Sequence, residues 1–202
     1  MRDGPMAAGG TRMDEGIIRC PWAERSAIEC AYHDRVWGVP LRDERALFGM
    51  LCLEGMQAGL SWVTILKKMG ALRTAFDDFD PEIMAGYDER KLAALMETEG
   101  IIRNRLKIRT MAQNARAYLS LRETQGTLED FLWRYVDFTP QVNAWREADE
   151  IPARTPLSER ISRDLKRLGF GFVGPTIVYA FMQAVGMVND HLVTCAFRRV
   201  GE

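Results

Sequence analysis

Apolar residues recur three and four positions apart along most of this chain, the spacing of one face of a helix, and the strict alternation of a half-buried strand is missing. Over 43–58 (DERALFGMLCLEGMQA) the pattern predicts a helix with Asp43 as N-cap and Glu44 in its first turn. Gly59 ends it, Ser61 caps the next helix, and Leu60 and Ile65 are spaced as a hydrophobic staple across that cap. Further helices are predicted over about 61–69, 71–76, 81–85, 88–97, 101–122 and 127–136. The stretch 138–156, with Pro140, Pro152 and Pro156, reads as looser chain, and helices resume over 158–168, 175–186 and 190–197. With no hairpin signals, the predicted fold class is all-α. Residues 1–16 carry small residues and no periodicity. They read as a flexible N-terminal extension before a single domain over 17–202.

Composition narrows the class. A chain of 202 residues can bury a proper core, and 47% hydrophobic with 27% charged residues is ordinary for a globular protein. Four scattered cysteines do not make a disulfide framework. No apolar run reaches the length of a membrane span and the N-terminus lacks an apolar signal core, so a cytoplasmic location with reduced thiols is expected. The formal net charge of −1 gives no global sign of nucleic-acid binding. A DNA site here has to be a local basic patch.

The chain has two histidines, and each is paired with a cysteine. His33 follows Cys20 by thirteen residues, and Cys195 follows His191 by four in HLVTC. On the helix predicted there, His191 and Cys195 share one face. Two thiolates and two imidazoles complete a tetrahedral structural zinc set that leaves no position for water. The pairs lie near opposite ends of the chain, so a shared ion would close a very long loop. Spacing alone leaves open the plainer reading of a buried cysteine and two ordinary histidines. Cys30 and Cys52 compete as ligands, although Cys52 sits in an apolar helix and suits packing.

Two further patterns carry chemistry. Residues 165–180 (LKRLGFGFVGPTIVYA) read as a helix ending at Gly169, a short turn, and a helix opened by Gly174 and Pro175. This is a helix–hairpin–helix pattern, whose use is to offer backbone N–H groups to a DNA phosphate. Gly169, Gly171 and Gly174 would let the backbone approach, and Arg160, Arg163, Lys166 and Arg167 supply local positive charge. An ordinary tight helical hairpin fits equally well. A second basic stretch, Arg103, Arg105, Lys107 and Arg109, offers either phosphate contacts or a solvated helix face. Glu54 shares a helix face with Leu47, Leu51 and Ala58, and a carboxylate there is costly unless it is satisfied. It is therefore a functional candidate, with a structural ion pair as the alternative. Gly55 and Gly59 leave room beside it. Trp62, together with Tyr32 and Trp37 around His33, offers faces for a flat base flipped from a duplex, or simply core packing.

These motifs jointly resemble the DNA-3-methyladenine glycosylase I family. The stretches that carry the resemblance are RCPW at 19–22, AYHDRVWGVP at 31–40, LFGMLCLEGMQAGLSWVTILKK at 47–68 and FDP at 79–81. They continue with GIIRNRLKI at 100–108, NARAYL at 114–119 and GFGFVGPTIVYAFMQAVGMVNDH at 169–191. The resemblance implies a helix–hairpin–helix glycosylase fold of two helical lobes, with the pocket between them. It implies one structural zinc on Cys20, His33, His191 and Cys195, joining the N- and C-terminal segments. It makes Glu54 the base-recognising carboxylate and Tyr32, Trp62 and Trp22 the pocket aromatics, while the hairpin pattern itself gives Lys166, Gly169, Gly171 and Gly174 as the residues expected at the DNA. The implied reaction is hydrolysis of the N-glycosidic bond of 3-methyladenine in double-stranded DNA by a monomer. Free base is released and the strand is not cut.

The chemistry agrees with these residue types. Methylation at N3 makes the base a cation and a good leaving group, and aromatic faces with a carboxylate favour a cation. Relatives in the wider hairpin superfamily use an aspartate after the hairpin. Asn189 and Asp190, however, sit where an N-cap and first turn are expected before HLVTC, so Asp190 is not assigned a catalytic role. A thiol nucleophile at Cys52 would lack a spare histidine, and a pure DNA binder of this fold would not need Glu54. Val36 and Met56 depart from the family's usual acidic residue and glutamine, while Gln57 is retained.

Overall fold

The computed structural model describes residues 16–199, and the N-terminal extension expected over 1–16 lies outside them except for Gly16. The described chain is mostly helical. The first helix, α1 (Ala27–Arg35), is one the apolar spacing does not predict, because its sequence AIECAYHDR has no apolar stripe. It is set locally by Ser26, whose hydroxyl caps the Glu29 N–H at 3.4 Å, and it carries Tyr32 and His33 inward.

Asp43 starts α2 (Glu44–Gln57) as expected, accepting from the Ala46 N–H at 2.8 Å. Every residue of α2 from Leu47 to Met56 is buried, so it is the central helix and is apolar all round apart from Glu54. The next helix, α3 (Trp62–Ala75), is continuous where two were expected. Gly70 is exposed inside it, and the cost of about 1 kcal/mol for glycine in a helix interior does not break it. Leu60 stays exposed while Ile65 is buried, so the expected staple does not close, and the Ser61 hydroxyl pairs with Thr64 Oγ1 at 2.8 Å instead of a backbone amide.

Aspartate and asparagine caps then start α4 (Pro81–Ala85), α5 (Glu89–Glu97) and α6 (Arg105–Gln125), the last beginning at Asn104 and not at 101. Thr127 caps α7 (Leu128–Trp133). A Thr155–Ser158 capping box starts α8 (Pro156–Arg167), and α9 (Pro175–Ala184) begins after Gly174. α2 packs against α3, α6, α7 and α9, and α8 packs against α9.

The helical class holds, with one addition and one failure. The described residues are mostly helical, but β1 (Gln141–Val142) pairs in parallel with β2 (Val188–Asn189), Gln141 opposite Val188. Two-residue strands are too short to leave an alternating pattern. The helix over 190–197 does not form, and turns take its place. Backbone donors there serve other segments: Val193 N–H bonds the Trp145 carbonyl and Ala196 N–H the Ile18 carbonyl, both at 2.9 Å. Asp190 is fully buried and caps nothing. The bond from Ala196 to Ile18 already brings the two ends of the described chain together.

Candidate functional site

Three helices and the start of a fourth converge on an open cleft of about 320 Å³. α1 contributes Tyr32, α2 contributes Glu54 and Gln57, α3 contributes Trp62 from its first turn, and α9 contributes Ala180 and Gln183. Trp22, Trp37 and Ile151 complete the wall. The Tyr32 and Trp62 rings lie 5.3 Å apart at 53°, and Trp22 stands 6.4 Å from Tyr32 and edge-on to Trp37 at 5.2 Å. The glutamate and aromatics expected from the sequence are therefore gathered at one place.

Three polar atoms of this wall are unsatisfied. Tyr32 Oη, Glu54 Oε2 and Trp62 Nε1 are all buried without a hydrogen-bond partner. Each such group costs roughly 1–3 kcal/mol, so a fold that keeps three together is built for a polar ligand. Glu54 is 3% exposed, and desolvation pushes its pKa up from the usual 4.5 to about 8. Burial, and then the charge of Glu54, also push the Tyr32 phenol well above its ordinary value. No ion pair involving Glu54 is present among the described residues, which removes the structural alternative for it.

Lys107 is not on a solvated face. It is 6% exposed, and its ammonium donates to the carbonyls of Met56 (2.8 Å) and Ala58 (2.7 Å) at the end of α2. It caps the helix that carries Glu54, where the macrodipole favours a cation. Desolvation lowers its pKa. Arg109, on the same helix, pairs with Glu89.

Behind the cleft lies a sulfur and nitrogen cluster. Ligand atoms of Cys20, His33 and Cys195 lie within 4.8 Å of one another, and all three residues are buried. The His191 ring is 4.8 Å from that of His33, outside this three-atom group, and its Nε2 is buried and unpartnered. Both rings are held through Nδ1, His33 by Asp34 at 2.8 Å and His191 by Asn189 at 3.0 Å, which turns both Nε2 atoms inward. Arg19 in turn grips Asp34 through both oxygens. A bond from Cys20, and less strongly one from His33, holds the Cys195 thiol down at about 4, while the same Cys20–Cys195 bond raises Cys20. Burial lowers His191 to about 4, which favours the neutral imidazole that a metal binds. The expected pair on one helix face is corrected: His191 and Cys195 lie in a turn-rich segment. Gly38 closes over it, since a Cβ there would stand 2.7 Å from His191 Cε1.

The segment between α8 and α9 is a tight hairpin. Gly169 has φ +92°, the left-handed turn that ends a helix at C′. Gly171 faces inward. Its N–H donates to Asn114 Oδ1 at 2.8 Å, its carbonyl accepts from Asn114, and a Cβ would stand 2.6 Å from Thr110 Cγ2. Its amide is committed, so the expected phosphate contact at Gly171 is corrected to a packing role against α6. Lys166 and Gly169 are exposed, and a Cβ at Gly174 would meet nothing, so all three of those positions stay open to a ligand. Phe172, at φ +52°, meets Gly55 of α2, where a Cβ would lie 3.2 Å from that of Phe172. The room expected at Gly55 is filled by the hairpin itself, whereas a Cβ at Gly59 would meet nothing.

Comparison with known proteins gives one answer. The family model of methyladenine glycosylases matches residues 22–199. The chain is 48% identical over 177 residues to the DNA-3-methyladenine glycosylase 1 of Escherichia coli K12, covering 88% of this chain and 95% of that one. It is 43% identical to the Haemophilus influenzae DNA-3-methyladenine glycosylase, covering 96% of that chain. It also superposes with a TM-score of 0.88 on a 3-methyladenine DNA glycosylase I variant crystallised with 3-methyladenine. That match is 35% identical and covers 91% of this chain and 99% of the other.

Proposed function

We propose that this chain, which belongs to the methyladenine glycosylase family, hydrolyses the N-glycosidic bond of 3-methyladenine in alkylated double-stranded DNA and leaves an abasic site. The observation that carries the reading is the set of unpartnered atoms on Tyr32, Glu54 and Trp62 inside an aromatic cleft. A base flipped from the duplex stacks on such walls and satisfies such atoms. Methylated adenine in DNA is cationic, so it leaves readily, and the protein's task is to select it.

Glu54 makes that selection. Its carboxyl, held up near 8 by burial, is largely protonated in the free protein at neutral pH. A cationic base draws it to the carboxylate, and a proton is released on binding. A neutral undamaged base gives no such return. The cleft has no lysine amine among its lining residues, so a covalent imine and strand cleavage are not part of the reaction.

The hairpin serves as a helix–hairpin–helix element. Gly169, Gly174 and the exposed Lys166 face the DNA backbone, and the free N–H groups in the first turn of α9 take a phosphate. The donor set of Cys20, His33, His191 and Cys195 fits one structural zinc. The unpartnered Nε2 of His191 supports it as fourth ligand beside the three-atom cluster, and Asp34 and Asn189 provide the outer hydrogen bonds such ligands need. The ion would cross-link the chain ends behind the pocket and supply no chemistry to the base. The pocket lies between two helical lobes of one domain, and the enzyme acts as a monomer. No helix among the described residues is long and apolar enough to cross a membrane, and a cytoplasmic location suits its free cysteines.

The test is release of free 3-methyladenine from methylated duplex DNA by purified, metal-loaded protein, without strand scission. Tight binding to the same DNA with no base release would make the chain a lesion binder and overturn the assignment.

A further inference from the structure

Asp190 is fully buried just after β2, and its carboxylate collects four donors. Oδ1 accepts from Asn143 Nδ2 and Trp145 Nε1, both at 2.7 Å. Oδ2 accepts from the Tyr179 hydroxyl at 2.6 Å and from Gln183 Nε2 at 2.7 Å. A carboxylate in this position has its lone-pair sites filled. Three of the donors tie together the β1 side, the 143–145 loop and α9. The fourth, Gln183, also lines the cleft.

An amide has a donor end and an acceptor end, and a buried carboxylate takes only the donor. With one N–H of its NH2 held by Asp190, the Gln183 amide has its nitrogen end fixed toward the buried carboxylate, and its carbonyl Oε1, on the other side of the amide carbon, is the acceptor it offers to the cleft. The residue has little freedom to turn. Its backbone carbonyl accepts the N–H groups of Gly38 (3.0 Å) and Gly186 (3.2 Å), and it sits one helical turn from Ala180 on the same wall. In the same cleft Glu54 serves the charge of the base, and Gln183 adds a neutral acceptor of fixed direction.

We infer that Gln183 is a specificity-determining residue, set by Asp190 as its positioning residue, and that it selects purines with an exocyclic amino group at C6 over those with an oxo group. The inference rests on the cleft being the base pocket. An amino group donates to the Gln183 carbonyl, whereas an oxo group would face it acceptor to acceptor and leave both unpaired.

The probes are free 3-methyladenine and free 3-methylhypoxanthine, which differ at C6, with binding read from quenching of the cleft tryptophans. The full chain is expected to prefer 3-methyladenine by about tenfold or more, tenfold being about 1.4 kcal/mol. In Gln183→Met, which keeps length and loses the acceptor, the preference should fall to about twofold. Asp190→Asn never touches the base, yet it frees the Gln183 amide to turn and should narrow the preference as well. A purely structural role would weaken both bases alike and keep the ratio, so an unchanged ratio in both variants overturns the inference. Equal affinity of the unmutated chain for the two bases overturns it even if neither variant folds. Failure of the unmutated chain to bind or release any methylated purine would instead bring down the reading of the cleft, and this inference with it.

Discussion

Glu54→Gln should make the protein more stable and less active, by an amount that depends on pH. In the folded chain the carboxyl holds its proton up to about pH 8, whereas in the unfolded chain it ionises near 4.5. Between those values the folded state binds a proton that the unfolded state has lost, so stability falls as pH rises. The two pKa values lie about 3.5 pH units apart, and at about 1.4 kcal/mol per unit the whole penalty is on the order of 5 kcal/mol, complete above pH 8. Glutamine has nearly the same shape and no charge to desolvate, and every other titrating group is common to the two proteins. The stability difference should therefore grow by about 1.4 kcal/mol between pH 6 and 7, grow again by about that much to pH 8, and then level off. At about 2–4 °C per kcal/mol for a chain of this size, the variant should melt roughly 10 °C higher at pH 8. The assay is urea unfolding at several pH values, paired with 3-methyladenine release, which should drop about 10–100-fold with the loss of the carboxylate. A stability difference that does not change with pH, or a variant less stable at pH 8, would refute the reasoning. A variant with full base release would refute the role of Glu54.

The remaining predictions concern the other parts. Trp62→Phe removes one unpartnered N–H, so it should leave stability unchanged or raised by up to about 1 kcal/mol while base release falls about tenfold or more; a large loss of stability would contradict the burial reading. Cys195→Ala should abolish an expected single equivalent of zinc in elemental analysis and lower the melting temperature. Unchanged metal and melting would count against the cluster. Lys166→Ala should weaken DNA binding and reduce its salt slope by about 1, with stability unaffected. Gly171→Ala should do the reverse, destabilising by about 1–3 kcal/mol through Thr110 with little change in salt slope, as thermal melts and salt titrations would show.

Much of the site is legible because its residue types are unusual in their places. A glutamate inside the apolar run of α2 stands out, and it is indeed buried and unpaired. Two Cys/His pairs in a chain with only two histidines point to one another. The caps at Asp43 and the glycine at 169 follow from local backbone needs, and the structure keeps both. What escapes is whatever depends on distant partners. α1 has no apolar stripe because its inward residues, Glu29, Tyr32 and His33, are polar or aromatic, and His33 is buried against the chain's other end, beside His191, Cys195 and Phe197. Gln183 could have been noticed as a lone amide in the apolar run FMQA, but its orientation is set by an aspartate seven residues on.

The sequence by itself determined the helical class, the central helix, the glutamate and the four candidate metal ligands, since each is a matter of local periodicity or of which residue types are present. Only the tertiary structure decided that HLVTC is a turn and not a helix, that Lys107 caps α2, and that Gly171 packs and does not reach outward. The physical reason is the same in all three. A backbone or side-chain donor goes to whichever acceptor the folded chain brings within about 3 Å, and for Val193, Lys107 and Gly171 those acceptors lie some 50 residues away along the chain.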